Sequence, residues 1–519
     1  MLARLLAGVT LVVALAGCMT VGPDYQRPEQ PLPDRFLDAT GNEPTTLEVE
    51  WWRRFNDPIL DRLVARALSY NTNVLAAMAR IDEADAAYDE AVGGSWPQVN
   101  ASGSAQRGRQ PFLLSSTGFR TGNFLGISVA ADYEIDFWGR MRRTREAARA
   151  GAVGSRHAAD VTRLTVAATV VQTYVNLRAL DEQVRFSERT VDSRDEQLRV
   201  VKLRLEGGSS SSLDFNQARG LRADAAVQLR ELQRQRGIAQ NQLARLTGEP
   251  GALVPSEGVD DPLSRLPVPP VPPPGMPSTL LARRPDVRLV EEDLVAANAA
   301  IGIARAAMLP SISLTSGLGH QSMSLSTLLE SGTRIWNIGF GLAAPIFNGG
   351  ALAARSAQAE ARERQLVASY QGTLQTAFQE VSNALVSASA AQVSEKEVLE
   401  RADAAREAAG LARSRFEGGY SGYLEWLDAE RTRFAAELDV IRIRQARLGY
   451  AIDLYRAMAG SWPDAADDLV AGDLTATTVA ASATEGRHAE PGKRSAVRSA
   501  AGKRTLRETR AKRSAPSAS

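Results

Sequence analysis

Cysteine is nearly missing from this chain: Cys18 is the only one in 519 residues. That excludes a disulfide framework and a thiolate metal cluster. The three histidines, His157, His320 and His488, stand far apart in unlike surroundings, so no local histidine-based metal motif exists. No phosphate-binding Walker loop is present, and the pairs Gly207-Gly208 and Gly418-Gly419 fall where glycine stops helices. Strong charge of either sign is missing as well, since the net charge is +1, which argues against a nucleic-acid binder. A hydrophobic share of 44% is nevertheless that of a folded protein. The reading is a folded chain with no catalytic constellation, no cofactor and no metal.

Proline is absent from two long stretches, and the second repeats the first. Phe137-Trp138-Gly139-Arg140 opens a proline-free run that closes on Arg204-Leu205-Glu206-Gly207-Gly208. Phe347-Asn348-Gly349-Gly350 opens another, closing on Arg415-Phe416-Glu417-Gly418-Gly419. The offsets, 347 − 137 = 210 and 418 − 207 = 211, keep the copies in register. At about 1.5 Å per residue each run makes a helix about 100 Å long, far beyond an ordinary globular helix. Such a length suits a device that spans a distance.

The first 17 residues form a targeting segment. Arg4 is followed by an apolar run, Leu5 to Ala16, too short to span a bilayer as a helix. Leu15-Ala16-Gly17-Cys18 resembles the bacterial lipoprotein signal, which implies cleavage before Cys18 and lipid on it. Buried acyl chains contribute about 0.8 kcal/mol per CH₂, so several make a stable anchor. Met19 in place of an aspartate implies passage to the outer membrane.

Residues 18–57, with Pro23, Pro28, Pro31, Pro33 and Pro44, predict an extended strap. The first repeat covers 58–248. Leu60, Leu63, Val64, Ala67 and Leu68 are spaced for a helix, with a break near Asn71-Thr72-Asn73. The period then changes to two, predicting strands over about 98–107 and 123–134, each of the length of a tilted membrane strand. The long helix and a returning helix, Leu213 to Leu246, complete the repeat. Residues 249–277 hold ten prolines and form an extended linker. The second repeat, 278–465, has a helix after Arg283-Arg284-Pro285-Asp286, strands over about 311–320 and 334–346, a long helix and a return from Leu424 to Met458. The tail, 466–519, has ten Lys/Arg against two Glu between Arg487 and Arg513 and reads as disordered.

Leu427, Phe434, Ile441, Leu448 and Tyr455 recur every seven residues, as do Leu177, Val184, Val191, Leu198 and Leu205. This is the seam of a left-handed coiled coil. Four membrane strands per chain cannot close a barrel, and an open edge cannot face lipid. Several copies must therefore contribute, and three would supply twelve strands. The fold class is mainly α with a membrane β-barrel, built from two structural repeats.

At this point the residues resemble a family. Gly22-Pro23-Asp24-Tyr25-Gln26-Arg27-Pro28, Trp51-Trp52 with Phe55, Arg283-Arg284-Pro285-Asp286, Ala344-Pro345-Ile346-Phe347-Asn348-Gly349-Gly350 and Leu427-Asp428-Ala429 look like the lipidated outer-membrane efflux channels of the TolC/OprM type. The resemblance implies a homotrimer whose twelve-stranded barrel, set in outer-membrane lipid, continues as a periplasmic coiled-coil α-barrel. It also implies the exit duct of a tripartite pump, with a periplasmic adaptor (membrane fusion) protein and an inner-membrane RND-type transporter. No nucleic acid is expected as partner. The long basic tail departs from the pattern.

Six residues past each glycine pair stands an acid, Asp214 or Glu425, and Asp428 lies one turn beyond. In the resembling family such acids line the periplasmic aperture, and three copies would make carboxylate rings that favour cations. The plainer alternative is that they are helix N-terminal acids complementing the helix dipole. Arg219 and Arg431, close by, are the expected pairing partners. Two rival functions stay open on the sequence, the exit channel of a protein secretion system and a lipid-anchored coiled-coil envelope spacer. A spacer leaves the alternating strands without a purpose.

Overall fold

The computed structural model describes residues 20–29, 33, 36, 50–111, 118–249, 262–271 and 281–459. Cys18, the rest of the strap and linker, and the chain from 460 onward lie outside the described residues. The elements are α1 (Pro58–Tyr70), α2 (Thr72–Gly93), β1 (Gln98–Pro111), β2 (Phe119–Ile135), α3 (Arg140–Glu206) and α4 (Ser212–Leu246) in the first half. The second half has α5 (Pro285–Ala306), β3 (Ser311–Ser322), β4 (Arg334–Ala343), α6 (Ala351–Glu417) and α7 (Tyr423–Met458). Helix, two strands, long helix and return helix therefore occur twice, and both long helices have 67 residues. Among the described residues no helix is long and apolar enough to cross a membrane.

The four strands form one antiparallel sheet in the order β1-β2-β3-β4. Its register lines up one apolar face: Ala101 pairs with Val129, Val129 with Leu318 and Leu318 with Trp336. Tyr133, Leu314 and Phe340 form a parallel row. Because side chains alternate across a strand, the opposite face takes Ser102, Ser128, Thr315 and Gly339, and the Ser102 and Ser128 hydroxyls meet at 2.9 Å. Val129, Leu318, Trp336, Ile338, Phe340 and Leu342 are all exposed in the single chain. β1 and β2 are longer than the sequence reading, at 14 and 17 residues. Their hairpin runs on past the pair Ala105 with Leu125 into Arg107 and Arg109. Periodicity alone stops where the apolar residues stop.

Strand passes into long helix at Gly139 and Gly350, which hold left-handed φ values of 79° and 85°. A side chain at Gly139 would also collide with Thr20, 2.7 Å from its Cβ position. The strap starts there: the Val21 amide donates to the Trp138 carbonyl. The Arg143 guanidinium, only 4% exposed, donates to Asp24 at 2.7 Å. Arg27 and Tyr25 both donate to Glu291 on α5. Further along, Phe36 stacks on Phe378 of α6 at 5.0 Å. The strap is stapled along the helices by the charged residues of its own motif.

The thickest core sits midway along the helices. Trp51 and Phe55, in a 3₁₀ turn over Trp51–Phe55, are fully buried together with Leu60 and Val64 of α1, Val170, Val171, Tyr174 and Val175 of α3, Leu243 of α4 and Ile452 of α7. Trp51 stacks on Tyr455, whose hydroxyl donates to the Pro270 carbonyl and so fixes the second part of the linker. Asp57 caps α1 by accepting from the Ile59 amide at 2.9 Å and also accepts the Tyr174 hydroxyl at 2.6 Å. The Arg-Arg-Pro-Asp motif is architectural. Pro285 starts α5, while buried Arg284 donates to Asp286, to Glu380 of α6 and to the Ala457 carbonyl of α7.

Candidate functional site

The two long helices end in the same way. The Ser209 amide donates to the Arg204 carbonyl at 2.8 Å and the Gly208 amide to Leu205 at 3.0 Å. Tyr420 to Arg415 and Gly419 to Phe416 repeat the pair at 2.8 and 3.1 Å. Both are Schellman stops, which need a left-handed residue; Gly208 and Gly419 supply it with φ of 73° and 77°.

The return helices then start differently. Ser211 caps α4: its hydroxyl accepts from the Asp214 amide at 3.1 Å, and the Asp214 carboxylate accepts from the Ser211 amide at 2.9 Å. The Ser210 hydroxyl donates to the same carboxylate at 3.0 Å. This capping box satisfies two otherwise orphaned amides. Burial alone would raise the Asp214 pKa, but the Ser211 and Ser210 hydrogen bonds outweigh it and hold the carboxyl below its ordinary range. Asp214 is thus a helix-capping acid, whatever else it does.

At the second turn Gly422 provides no side-chain cap. Glu425 pairs instead with Arg415, Nε to Oε1 at 2.9 Å, across the glycine turn, and both side chains are about half exposed. Asp428 is exposed one turn on. Arg219 and Arg431 are exposed too, and neither forms an ion pair among the described residues. The expected pairing of these arginines with the acids is therefore corrected within one chain, because Arg415 in the last turn of α6 reaches Glu425 first. A basic last turn facing an acidic first turn across Gly-Gly was the signal for it.

Sequence reasoning also missed what packs the tip. Phe416 stacks on Trp426 at 5.2 Å, and Tyr423 meets both rings edge-on. The three rings, all buried, close over Val201 of α3 and Ala218 of α4. The Arg204 guanidinium lies 4.6 Å from the centre of the Phe416 ring. Higher up, Arg194 of α3 and Glu430 of α7 form an ion pair at 3.2 Å with side chains 3% and 8% exposed. Arg433 adds a second bond to Glu430 at 2.9 Å, and Gln197 accepts from Arg194 at 2.7 Å. Burial lowers the Arg194 pKa despite the Glu430 charge. The Tyr423 hydroxyl and the Trp426 indole N–H, both buried, find no hydrogen-bond partner among the described residues. Burial raises the Tyr423 pKa, so the phenol stays neutral.

A twinned pair of long hairpins hung from a half-apolar sheet is matched by one family model, described as outer membrane efflux protein, over residues 63–249 and 276–460. The chain belongs to that family. Outer membrane protein OprJ of Pseudomonas aeruginosa is 33% identical over 462 residues, covering 88% of this chain and 95% of OprJ. Cation efflux system protein CusC of Escherichia coli is 33% identical over 467 residues, covering 87% and 97%. The solved outer-membrane channel OprN is similar with a TM-score of 0.79 at 27% identity, covering 85% of this chain and 99% of OprN. As an outer membrane efflux protein the chain is a transport duct. The sheet is its membrane part, and the helix tips, more than 60 residues from the strands along either long helix, are its far end.

Proposed function

We propose that three copies close their sheets into one twelve-stranded barrel and their helices into one periplasmic tube. In this reading the tube is the exit duct of a tripartite efflux pump, passively carrying small molecules from an inner-membrane RND-type transporter and a periplasmic adaptor to the exterior. The observation that carries the reading is the sheet itself: four strands, a continuous apolar face and two unpaired edges, β1 and β4. An open edge in hydrocarbon leaves several kcal/mol of unsatisfied backbone per group, so only closure with further copies makes it viable. The cargo is set elsewhere, since similar proteins bear names as different as cation efflux and toluene efflux. Lipid on Cys18 is part of the proposal, tested by the mass of the mature N-terminus.

At the tips Glu425, Asp428 and Asp214, with Arg219 and Arg431, are proposed to line the aperture. Asp428 and the two arginines, exposed and without ion pairs among the described residues, are available to a neighbouring copy. The purified protein in a planar bilayer should give discrete conductance steps, and chemical cross-linking should stop at three chains. Absence of conductance from well-folded protein would favour the envelope spacer.

A further inference from the structure

The upper ends of the strands, away from the helices, carry charge of one sign on the membrane face. On β1 the row that begins Val99, Ala101, Gly103 and Ala105 continues as Arg107 and Arg109, paired in register with Asn123 and Thr121 of β2. On β4 the row Leu342, Phe340, Ile338 and Trp336 continues as Arg334, paired with His320 of β3. Since His320 in turn faces Ile127, Arg334 shares the apolar face. All three arginines are exposed, and none of the residues on this face of the four strands is acidic. The acids of the sheet, Asp132 and Glu134, point to the other face near the helix end, where Glu134 binds Arg140. Glu330, in the connection from β3 to β4, is the acid nearest in sequence to Arg334.

Within one chain these arginines stand on opposite edges of the sheet, three strand spacings or about 14 Å apart across the strands, and Arg334 lies in register with Gly103, four residues before Arg107. Closure as proposed above, on which this inference rests, sets β4 of one copy beside β1 of the next at about 5 Å. Each seam then gathers Arg334 of one copy and Arg107 and Arg109 of the other just above the apolar band. A guanidinium binds phosphate oxygens with two parallel bonds, and basic groups flanking a membrane segment hold anionic headgroups.

We propose that each subunit seam binds the phosphate of an anionic lipid in the outer leaflet, with its acyl chains lying over Trp336 and Phe340. The small residues of β1, Ala101, Gly103 and Ala105, leave room for those chains beside the bulky β4 row.

The test uses the full-length trimer in nanodiscs of phosphatidylcholine containing a small fraction of lipid A, with lipid retained per trimer read by mass spectrometry. At about 1 kcal/mol, or roughly fivefold, per basic residue near a membrane surface, R107Q/R109Q/R334Q should lower lipid A retention about 100-fold at low salt. The R107K/R109K/R334K variant should keep most of it, and phosphatidylcholine retention should not change. Equal retention by wild type and the glutamine variant overturns the site, as does full displacement of lipid A by inorganic phosphate. Conductance recorded on the same samples separates the two readings. A conducting variant with undiminished lipid A refutes the lipid site alone, whereas a wild type that neither trimerises nor conducts removes the seam and both proposals with it.

Discussion

The two helix tips are copies of one device that have been finished in different ways. Both stop with the same pair of backbone bonds over a left-handed glycine. The first then seals itself, with Ser211 and Asp214 capping each other inside one short segment. The second has a glycine at the cap position and depends on three aromatic rings packed against the first hairpin. A locally sealed tip keeps its shape wherever the hairpin goes. A tip held by tertiary packing keeps it only while the neighbouring hairpin stays, so the second is the tip whose position the rest of the protein can set.

The largest effects should come from removing that packing. Glu430→Ala leaves Arg194 buried without its main counter-charge, and should cost about 3–5 kcal/mol. A combined Arg194→Met/Glu430→Leu replacement should recover most of it. Thermal unfolding followed by helical circular dichroism tests both, and a Glu430→Ala protein as stable as wild type would show that the hairpins are not joined there. Trp426→Ala empties a buried site 5% exposed and should likewise cost about 3–5 kcal/mol. Increased proteolysis should then appear at the second turn and not at the first; cleavage at both alike would break the contrast.

The first tip should respond more weakly. Ser211→Ala removes an N-cap and should cost about 1 kcal/mol, with enhanced amide exchange confined to the start of α4. The Asp214 contribution has a defined pH window. Its folded pKa lies below the ordinary 3.8, so the stabilisation is present above that value and is lost as pH falls through the folded pKa. The stability gap between wild type and Asp214→Ala should therefore be flat near neutrality and close below about pH 3.8. A gap that widened on acidification would contradict the hydrogen bonds described.

The smallest effect on stability should be that of Glu425→Gln/Asp428→Asn, since an exposed pair such as Glu425 with Arg415 contributes about 0–1 kcal/mol. The effect on ion flow should be large by contrast. If these acids line the aperture, the reversal potential in a salt gradient should shift away from cation preference while trimer yield is unchanged. An unchanged reversal potential would make them helix-start acids only, and take both out of the proposed aperture.

The duplicated halves, the long helices with their stops, the strands and the need for several copies were legible in the sequence. Each is written in local spacing: periods of two and seven, the missing prolines, and the glycine pairs. Family motifs were legible as strings, but their purposes were not. Asp24, Arg27 and Arg284 find partners 119, 264 and 173 positions away in the chain, and nothing local announces such partners. The aperture residues show the same limit, since Arg219 and Arg431 lie near the acids in sequence while Arg415 is the one that reaches Glu425.

The sequence by itself determined the inventory, two repeats of strand-forming and helix-forming stretches with their ends marked, because propensity, period and turn chemistry act over a few residues. Only the tertiary structure decided which acid caps, which one pairs, which arginine is buried and where the aromatic rings close the second tip. Those outcomes depend on the side chains that another segment places within a few ångströms, and that distance is fixed by packing.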